Sequence, residues 1–162
     1  RYKNTSIILT GGVDDIWQDT RTKQLIVVDY KSQAKNGCVD KQDYLEDPYH
    51  DGYKIQMDFY AYLLSGMGFD VHPISYFLVC NAKRDKEGFY KTMRFDEYLV
   101  PYKWNNDWIE EKIDEMVALM NQHQIPEPNE CCKNCAYSDQ YSKVVHPDGI
   151  NNHEITQGSL FD

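Results

Sequence analysis

The chain has 162 residues, of which 41% are hydrophobic and 14% aromatic, which suits one domain with a buried core. Its formal net charge of −9 argues against a protein that coats nucleic acid non-specifically, but not against a local nucleic-acid contact. The sequence has no apolar run near the roughly 20 residues of a membrane helix. It also has no secretory signal and an odd count of five cysteines, so we expect a cytoplasmic protein.

The first part of the chain predicts a β-hairpin. Residues 5–17 form one strand, with a bulge or bend at Gly11-Gly12, and residues 24–31 form a second, buried one. The chain begins without Met and reaches strand-like sequence almost at once, so we expect that a natural N-terminal segment is missing.

The remaining elements follow from periodicity and turn residues. Residues 32–52 predict a long polar loop that is functional or mobile. Residues 53–65 predict a helix that ends at Gly66 and Gly68, with an apolar face of Ile55, Phe59, Tyr62 and Leu63. Further strands are expected at 74–81 and 89–95, a helix at 106–124, and a loose tail over the last 20 residues.

Two acidic residues stand where the predicted hairpin brings them together. Asp14 lies within Gly11–Ile16, and Asp29 closes the second strand, with Lys31 on the same strand face as Asp29. Carboxylates bind hard cations, and a metal beside an ammonium group is suited to phosphodiester hydrolysis. The alternatives are a turn at Asp14 and a strand end entering solvent at Asp29. The apolar Val13 and Ile16 favour the strand, in which Asp15 points away from Asp14.

The polar residues Gln56 and Tyr60 lie four apart on the predicted helix and therefore share a face. That face is either the solvated side of an amphipathic helix or the lining of a cleft. In a cleft, Gln56 could bond a phosphate, the water shell of a metal or Lys31, and Tyr60 could contact a nucleic-acid backbone.

These motifs resemble those of the PD-(D/E)XK nucleases. The branch they resemble contains the CRISPR-associated adaptation exonucleases and the nuclease domains of bacterial recombination helicase–nucleases. The resemblance implies that Asp14 and Asp29 are metal ligands, that the Tyr30 carbonyl is a third, and that Lys31 is catalytic. It also assigns Gln56 and Tyr60 to the Q-x-x-x-Y signature. The acidic residue or His that members carry on a helix before the first strand has no counterpart here.

Many members of this family carry a four-cysteine iron–sulfur cluster. Cys132 and Cys135 match its central pair, but Tyr141 stands where the next ligand would be expected. We therefore expect no cluster and interpret the two cysteines as remnants. Cys131, Cys132 and Cys135 could alternatively bind zinc with a fourth ligand, which would make the chain a zinc-stabilised interaction domain.

The final residues resemble the peptide that binds the bacterial sliding clamp. Gln157, Leu160 and Phe161 have its Gln-x-x-Leu-Phe spacing, and a disordered tail could place the two apolar side chains in a hydrophobic pocket. A chance match of so short a motif is the alternative.

The sequence as a whole predicts an α/β fold with a central mixed sheet flanked by helices, like the core of restriction endonucleases. We expect a nuclease-like domain over 1–145, without its N-terminal helix, and a flexible tail over 146–162. The expected function is Mg²⁺- or Mn²⁺-dependent hydrolysis of DNA by an exonuclease in repair, recombination or phage DNA processing. The alternative is a non-catalytic module that keeps the fold to dock on DNA or the clamp.

Overall fold

The computed structural model of the chain describes residues 1–85, 91–122, 126–127 and 129–145. The chain divides into two compact units, residues 1–115 and 116–162. In chain order, the elements of the described residues are β1 (Asp15–Gln18), β2 (Leu25–Gln33), α1 (Lys41–Glu46), a 3-10 turn (Pro48–His50), α2 (Asp51–Gly66), β3 (Ile74–Ala82), β4 (Phe95–Lys103), α3 (Ile109–Met120) and α4 (Lys133–Val145).

The four strands form one mixed sheet in the order β1-β2-β3-β4. Strand β2 pairs antiparallel with β1 and parallel with β3, whereas β3 pairs antiparallel with β4. The parallel pair needs a long crossover, and α1, the 3-10 turn and α2 supply it. This arrangement confirms the predicted α/β class with a mixed sheet flanked by helices.

The core of residues 1–115 lies where α2 and α1 cover one face of the sheet. Helix α2 buries Met57, Tyr60, Ala61 and Leu64, which follow the i, i+3, i+4, i+7 spacing of one helix face. They pack in one cluster with Val27, Tyr44, Val71, Phe77, Val79 and Val100. The predicted apolar face of this helix was wrong, since Ile55 is 53% exposed. The helix instead buries the face that carries Tyr60, whose hydroxyl has a polar partner inside the molecule.

Three predicted elements differ from the structure. The first strand covers only Asp15–Gln18 rather than 5–17, so the Gly11-Gly12 pair precedes the sheet instead of interrupting a strand. Of the expected strand at 89–95, residues 91–94 are not in a strand and β4 begins at Phe95, while residues 89 and 90 lie outside the described residues. The expected loop at 32–52 contains α1, which Asp40 caps by accepting hydrogen bonds from two backbone N–H groups of the first turn.

The predicted helix at 106–124 is α3, which begins three residues later, at Ile109, and runs to Met120. Ile109 and Ile113 of its expected apolar stripe are buried, but Met116 and Met120 are 60% and 59% exposed. The last described element is α4, in residues 116–162. Within the described part of the chain, no helix combines the length and the apolar character needed to cross a bilayer.

Candidate active site

The hairpin of β1 and β2 brings Asp14 beside Asp29. Asp14 directly precedes β1, and its Oδ2 accepts a hydrogen bond from the backbone N–H of Tyr30 at 2.9 Å. Asp15 has a separate role, since its Oδ2 accepts hydrogen bonds from the Tyr30 hydroxyl at 2.8 Å and from Trp17 Nε1 at 3.0 Å. These bonds lower the pKa of Asp15. The two neighbouring carboxylates therefore accept from different groups of Tyr30, Asp14 from its backbone N–H and Asp15 from its hydroxyl.

Asp29 is a buried carboxylate that lacks the hydrogen bonds such a group normally has. The residue is 1% exposed, and among the described residues its Oδ1 has no hydrogen-bond partner. Burial raises the pKa of Asp29, the charge of Lys31 opposes this rise, and the nearby carboxylate of Asp14 adds to it. A carboxylate in this state favours any additional positive charge that reaches it.

Lys31 provides the one ion pair that Asp29 makes in the described residues. Its Nζ contacts Asp29 Oδ2 and donates a hydrogen bond to Gln56 Oε1 at 3.2 Å. The same ammonium group lies 4.5 Å from the ring centroid of Tyr53, a distance at which a cation–π attraction operates. Lys31 is therefore held between β2 and α2 by three contacts of different kinds.

The Q-x-x-x-Y pair extends this contact chain along α2. Gln56 Nε2 donates a hydrogen bond to the Tyr60 hydroxyl at 2.6 Å, so Tyr60 orients the amide that in turn binds Lys31. The Tyr60 ring lies against the backbone of Gly11, where an added Cβ would approach Tyr60 Cε1 to 2.9 Å. Gly11 thus allows the chain before β1 to pack closely on the helix that positions Lys31.

The structure brings together all the residues that the motifs assigned to the site, and it adds two that sequence reasoning missed. Tyr53 precedes Gln56 by three residues on α2, and this helical spacing was the available signal. Tyr44, on α1, is 4% exposed and its hydroxyl has no partner among the described residues. Burial raises the pKa of Tyr44, and the charges of Tyr53 and Asp29 contribute, so the hydroxyl keeps its proton.

The oxygen donors of this site fit a hard divalent cation. Asp14 and Asp29 bring two carboxylates together, and Asp29 Oδ1 has no hydrogen-bond partner among the described residues. Carboxylate oxygens are ligands that hard divalent cations prefer. Among the described residues, no group of three or more His, Cys, Asp or Glu side chains has the arrangement of a metal site. Any resident ion would therefore rely on two carboxylates together with backbone and solvent oxygens.

A family model of the PD-(D/E)XK nuclease superfamily matches residues 2–140, most of the chain. The chain belongs to the PD-(D/E)XK nuclease superfamily. Comparison with curated proteins and with solved structures gave no match. Membership supports nuclease activity with DNA as the substrate, and members of this superfamily generally use Mg²⁺ or Mn²⁺. The mixed sheet with its flanking helices is the restriction-endonuclease-like core that such nucleases share.

Three of the five cysteines of this nuclease-superfamily chain lie close to the start of α4: Cys131 and Cys132 directly precede it and Cys135 is in its first turn. The backbone N–H of Cys135 contacts Cys132 Sγ at 3.4 Å, which lowers the pKa of Cys132, whereas the Cys132 side chain raises that of Cys135. Tyr141 lies further along the helix, is 57% exposed and stacks on Tyr137 at 6.3 Å between ring centroids. The clamp-like residues Gln157, Leu160 and Phe161 lie outside the described residues.

Proposed function

We propose that this chain is a Mg²⁺- or Mn²⁺-dependent DNA exonuclease of the cytoplasm, acting in repair, recombination or phage DNA processing. The observation that carries the proposal is the buried Asp29, whose Oδ1 has no hydrogen-bond partner among the described residues while Lys31 pairs with its Oδ2. Retaining an under-satisfied buried carboxylate costs stability, so its presence beside Asp14 needs a functional reason. The exonuclease mode and the pathways come from the resemblance to one branch of the family.

Asp14, Asp29 and the Tyr30 carbonyl would hold the cation. When bound, the ion would polarise the scissile phosphate and lower the pKa of a bound water. Asp14 is exposed and Asp29 buried, so the two carboxylates reach the site from the solvent side and the core side. The hydrogen bond from Tyr30 N–H to Asp14 fixes the first carboxylate relative to the strand that carries the second.

Lys31 would stabilise the negative charge that develops on the phosphate and position the attacking water. Its ammonium group already has its direction set by Gln56 and by the ring of Tyr53. A donor that is fixed before the reaction needs little reorganisation as charge develops, which is the basis of electrostatic catalysis. Tyr60 acts one step further away, by holding the Gln56 amide.

The exonuclease proposal is tested with matched DNA substrates. Purified chain in Mg²⁺ or Mn²⁺ is given one sequence as end-labelled linear single strand, linear duplex and covalently closed circle. We expect at least one of the two linear forms to be shortened progressively from an end. The closed circle should not be cleaved. Cleavage of the circle would show an endonuclease, and no cleavage of any form would favour a non-catalytic docking module.

For the tail, we propose docking on a bacterial sliding clamp through Gln157, Leu160 and Phe161, on the strength of the motif alone. Burial of a Leu and a Phe is worth roughly 1.5–3 kcal/mol each, against about 1–2 kcal/mol for each residue that becomes ordered. Binding should therefore be weak. Replacing both apolar residues by Ala should abolish retention on an immobilised clamp without changing the cleavage of short oligonucleotides.

For the domain layout, we propose a nuclease-like domain over 1–145 in which Cys132 and Cys135 no longer hold a cluster. Anaerobically purified protein should then be colourless. A broad absorption near ~400 nm together with about four iron atoms per chain would contradict this. Stoichiometric zinc would instead support the zinc-stabilised alternative.

A further inference from the structure

A cavity opens on the side of Lys31 that faces α1, the 3-10 turn and the start of α2. It has a volume of about 370 Å³. Its lining combines basic and aromatic side chains, chiefly Lys31, Lys35, Tyr44, Tyr49, His50 and Tyr53. Basic and aromatic groups together are the chemistry that binds single-stranded nucleic acid, because the cations contact phosphates and the rings stack on bases.

The wall of this cavity is a rigid stack of rings. His50 lies between Tyr44 and Tyr53, with ring centroids 4.0 Å and 5.3 Å away, and both pairs are stacked. A ring nitrogen of His50 lies 2.7 Å from the Tyr44 carbonyl oxygen, which fixes the middle of the stack. The ammonium group of Lys31 lies over the Tyr53 ring, so the stack ends at the proposed catalytic centre.

Tyr49 differs from these buried rings because it is 77% exposed. It meets His50 and Tyr53 edge-on, with centroids 5.7 Å and 6.2 Å away. Its backbone is fixed by the 3-10 turn, in which Asp47 Oδ1 accepts a hydrogen bond from the Tyr49 N–H at 3.0 Å. A large ring that is held in place yet left open to solvent is a preformed surface for stacking.

Lys35 supplies an exchangeable cation at the same cavity. Its Nζ lies 3.3 Å from Asp47 Oδ2, and its side chain is 60% exposed. An exposed ion pair of this kind contributes only about 0–1 kcal/mol, so a phosphate can replace the carboxylate as partner. The charged side chains that line the cavity are Lys31, Lys35 and Asp47. Lys31 is also paired with the buried Asp29, so Lys35 is the cation of the lining that a phosphate can reach by replacing an exposed partner.

We propose that this cavity binds one unpaired nucleotide next to the scissile phosphate, with its base stacked on Tyr49 and its phosphate at Lys35. The proposal rests on the nuclease function and deepens it by naming the substrate class. A base inside a duplex has both faces stacked on its neighbours, so only a single strand or a frayed end can offer a free face to Tyr49. The cavity therefore selects an unpaired strand at the site of cleavage.

The test measures binding of fluorescein-labelled single-stranded oligothymidylate by anisotropy, with EDTA present so that no cleavage occurs. Tyr49→Ala should weaken binding by about 5- to 150-fold, the effect of losing one base–aromatic stack, whereas Tyr49→Trp should bind like wild type. Phe69→Ala is the matched control, since Phe69 is an exposed ring (47%) beyond the far end of α2, about 24 Å along the helix. Lys35→Gln should make the slope of the logarithm of the binding constant against the logarithm of the salt concentration less negative by about 0.7, the value for one lost phosphate contact, and Lys112→Gln should leave the slope unchanged.

A second substrate separates stacking from damage to the fold. Each oligonucleotide of a series carries one abasic nucleotide, at a different position in each. At one of these positions, the affinity of wild type should fall to about that of Tyr49→Ala for the intact strand. Tyr49→Ala should be insensitive to the missing base there. Equal binding by wild type and Tyr49→Ala, or no binding by wild type at concentrations up to the millimolar range, would overturn the subsite.

The same proteins, assayed for cleavage in Mg²⁺ and Mn²⁺, keep the two proposals apart. If wild type cleaves DNA and Tyr49→Ala binds the oligonucleotide as well as wild type does, the nuclease proposal stands and the subsite proposal fails. Binding through Tyr49 without cleavage of any substrate would retain the subsite and remove the nuclease.

Discussion

Two buried aspartates of this chain have opposite surroundings. Asp58, on α2, is 5% exposed and accepts three hydrogen bonds, from Tyr102 Oη at 3.0 Å, Asn105 N at 2.9 Å and Trp108 Nε1 at 3.0 Å. Asp29, on β2, is 1% exposed and has only its ion pair with Lys31 in the described part of the chain. Both carboxylates are shielded from solvent, but only in Asp58 do hydrogen bonds from the protein replace those that water would make.

The difference separates a carboxylate whose hydrogen bonds are complete from one whose hydrogen bonds are not, and the proposed function assigns the chemistry to the second. Asp58 connects α2 to the end of β4 and to the segment that leads into α3, and its three donors make its charge tolerable in the core. Asp29 keeps a free oxygen that a cation can use. A fully paired buried carboxylate stabilises the fold, whereas an under-paired one stores affinity for a ligand.

The largest expected effect is on activity, at Asp29. Asp29→Asn should lower kcat by about 10³-fold, since a bound metal contributes several kcal/mol of charge stabilisation. The free energy of unfolding should stay level or rise, because burial disfavours the charge of Asp29 and Asn removes it. Denaturant unfolding and calorimetry with Mn²⁺ measure the two effects. Full activity in this variant would sink the assignment of Asp29 as a ligand.

Lys31→Ala should come next, with a loss of about 10²-fold in kcat, the usual cost of removing one preorganised donor. Metal affinity should persist or increase, because the cation that competes for Asp29 is gone. Calorimetry with Mn²⁺ checks this, with Lys112→Ala as the matched surface control. Loss of metal binding would give Lys31 a structural role instead.

Asp58→Ala should show the reverse pattern. It leaves three partly buried hydrogen bonds without their acceptor, so we expect the free energy of unfolding to fall by about 2–4 kcal/mol. Activity per folded molecule should stay close to wild type at low temperature. Urea unfolding measures the loss, and a variant as stable as wild type would contradict the structural role of Asp58.

The smallest expected effect is at Gln56, which acts through Lys31. Gln56→Ala should reduce kcat by about 10-fold with little change in KM, since residues that orient a reacting group typically contribute 10- to 100-fold. Tyr60→Phe removes only the hydroxyl that holds Gln56 and should cost less still. Steady-state kinetics on one oligonucleotide compare the two variants. A larger loss in Tyr60→Phe than in Gln56→Ala would break the proposed order of contacts.

The sequence predicted which residues lie together better than it predicted the elements around them. The motif residues come together because a hairpin brings Asp14 to β2 and because one face of α2 carries Gln56 and Tyr60. Both relations are local in the chain, so spacing alone contains them. That Asp29 would lack hydrogen-bond partners could not be predicted from the sequence, because this depends on which side chains of α1 and α2 pack against the strand.

The errors arose where long-range packing overrides local pattern. Residues 5–14 have strand-like apolar positions but no strand partner, and Gly11 is chosen for its close approach to Tyr60. The polar composition of the segment before α2 predicts a loop. In the structure, Asp40 and Asp47 cap α1 and the 3-10 turn within this segment. Tyr49 gave no sequence signal, because its exposure is set by that turn.

The parallel pairing of β2 with β3 has a consequence for how the protein is made. Asp29 and Lys31 pair with Phe77 and Val79, which the ribosome adds only after the whole crossover has been synthesised. Long-range parallel pairing forms slowly, after its connecting segment has closed. A nascent chain that ends before β3 thus contains every residue of the proposed centre but only the β1–β2 hairpin of the sheet to align them. Cleavage competence should arise late in synthesis, when β3 has emerged and docked beside β2.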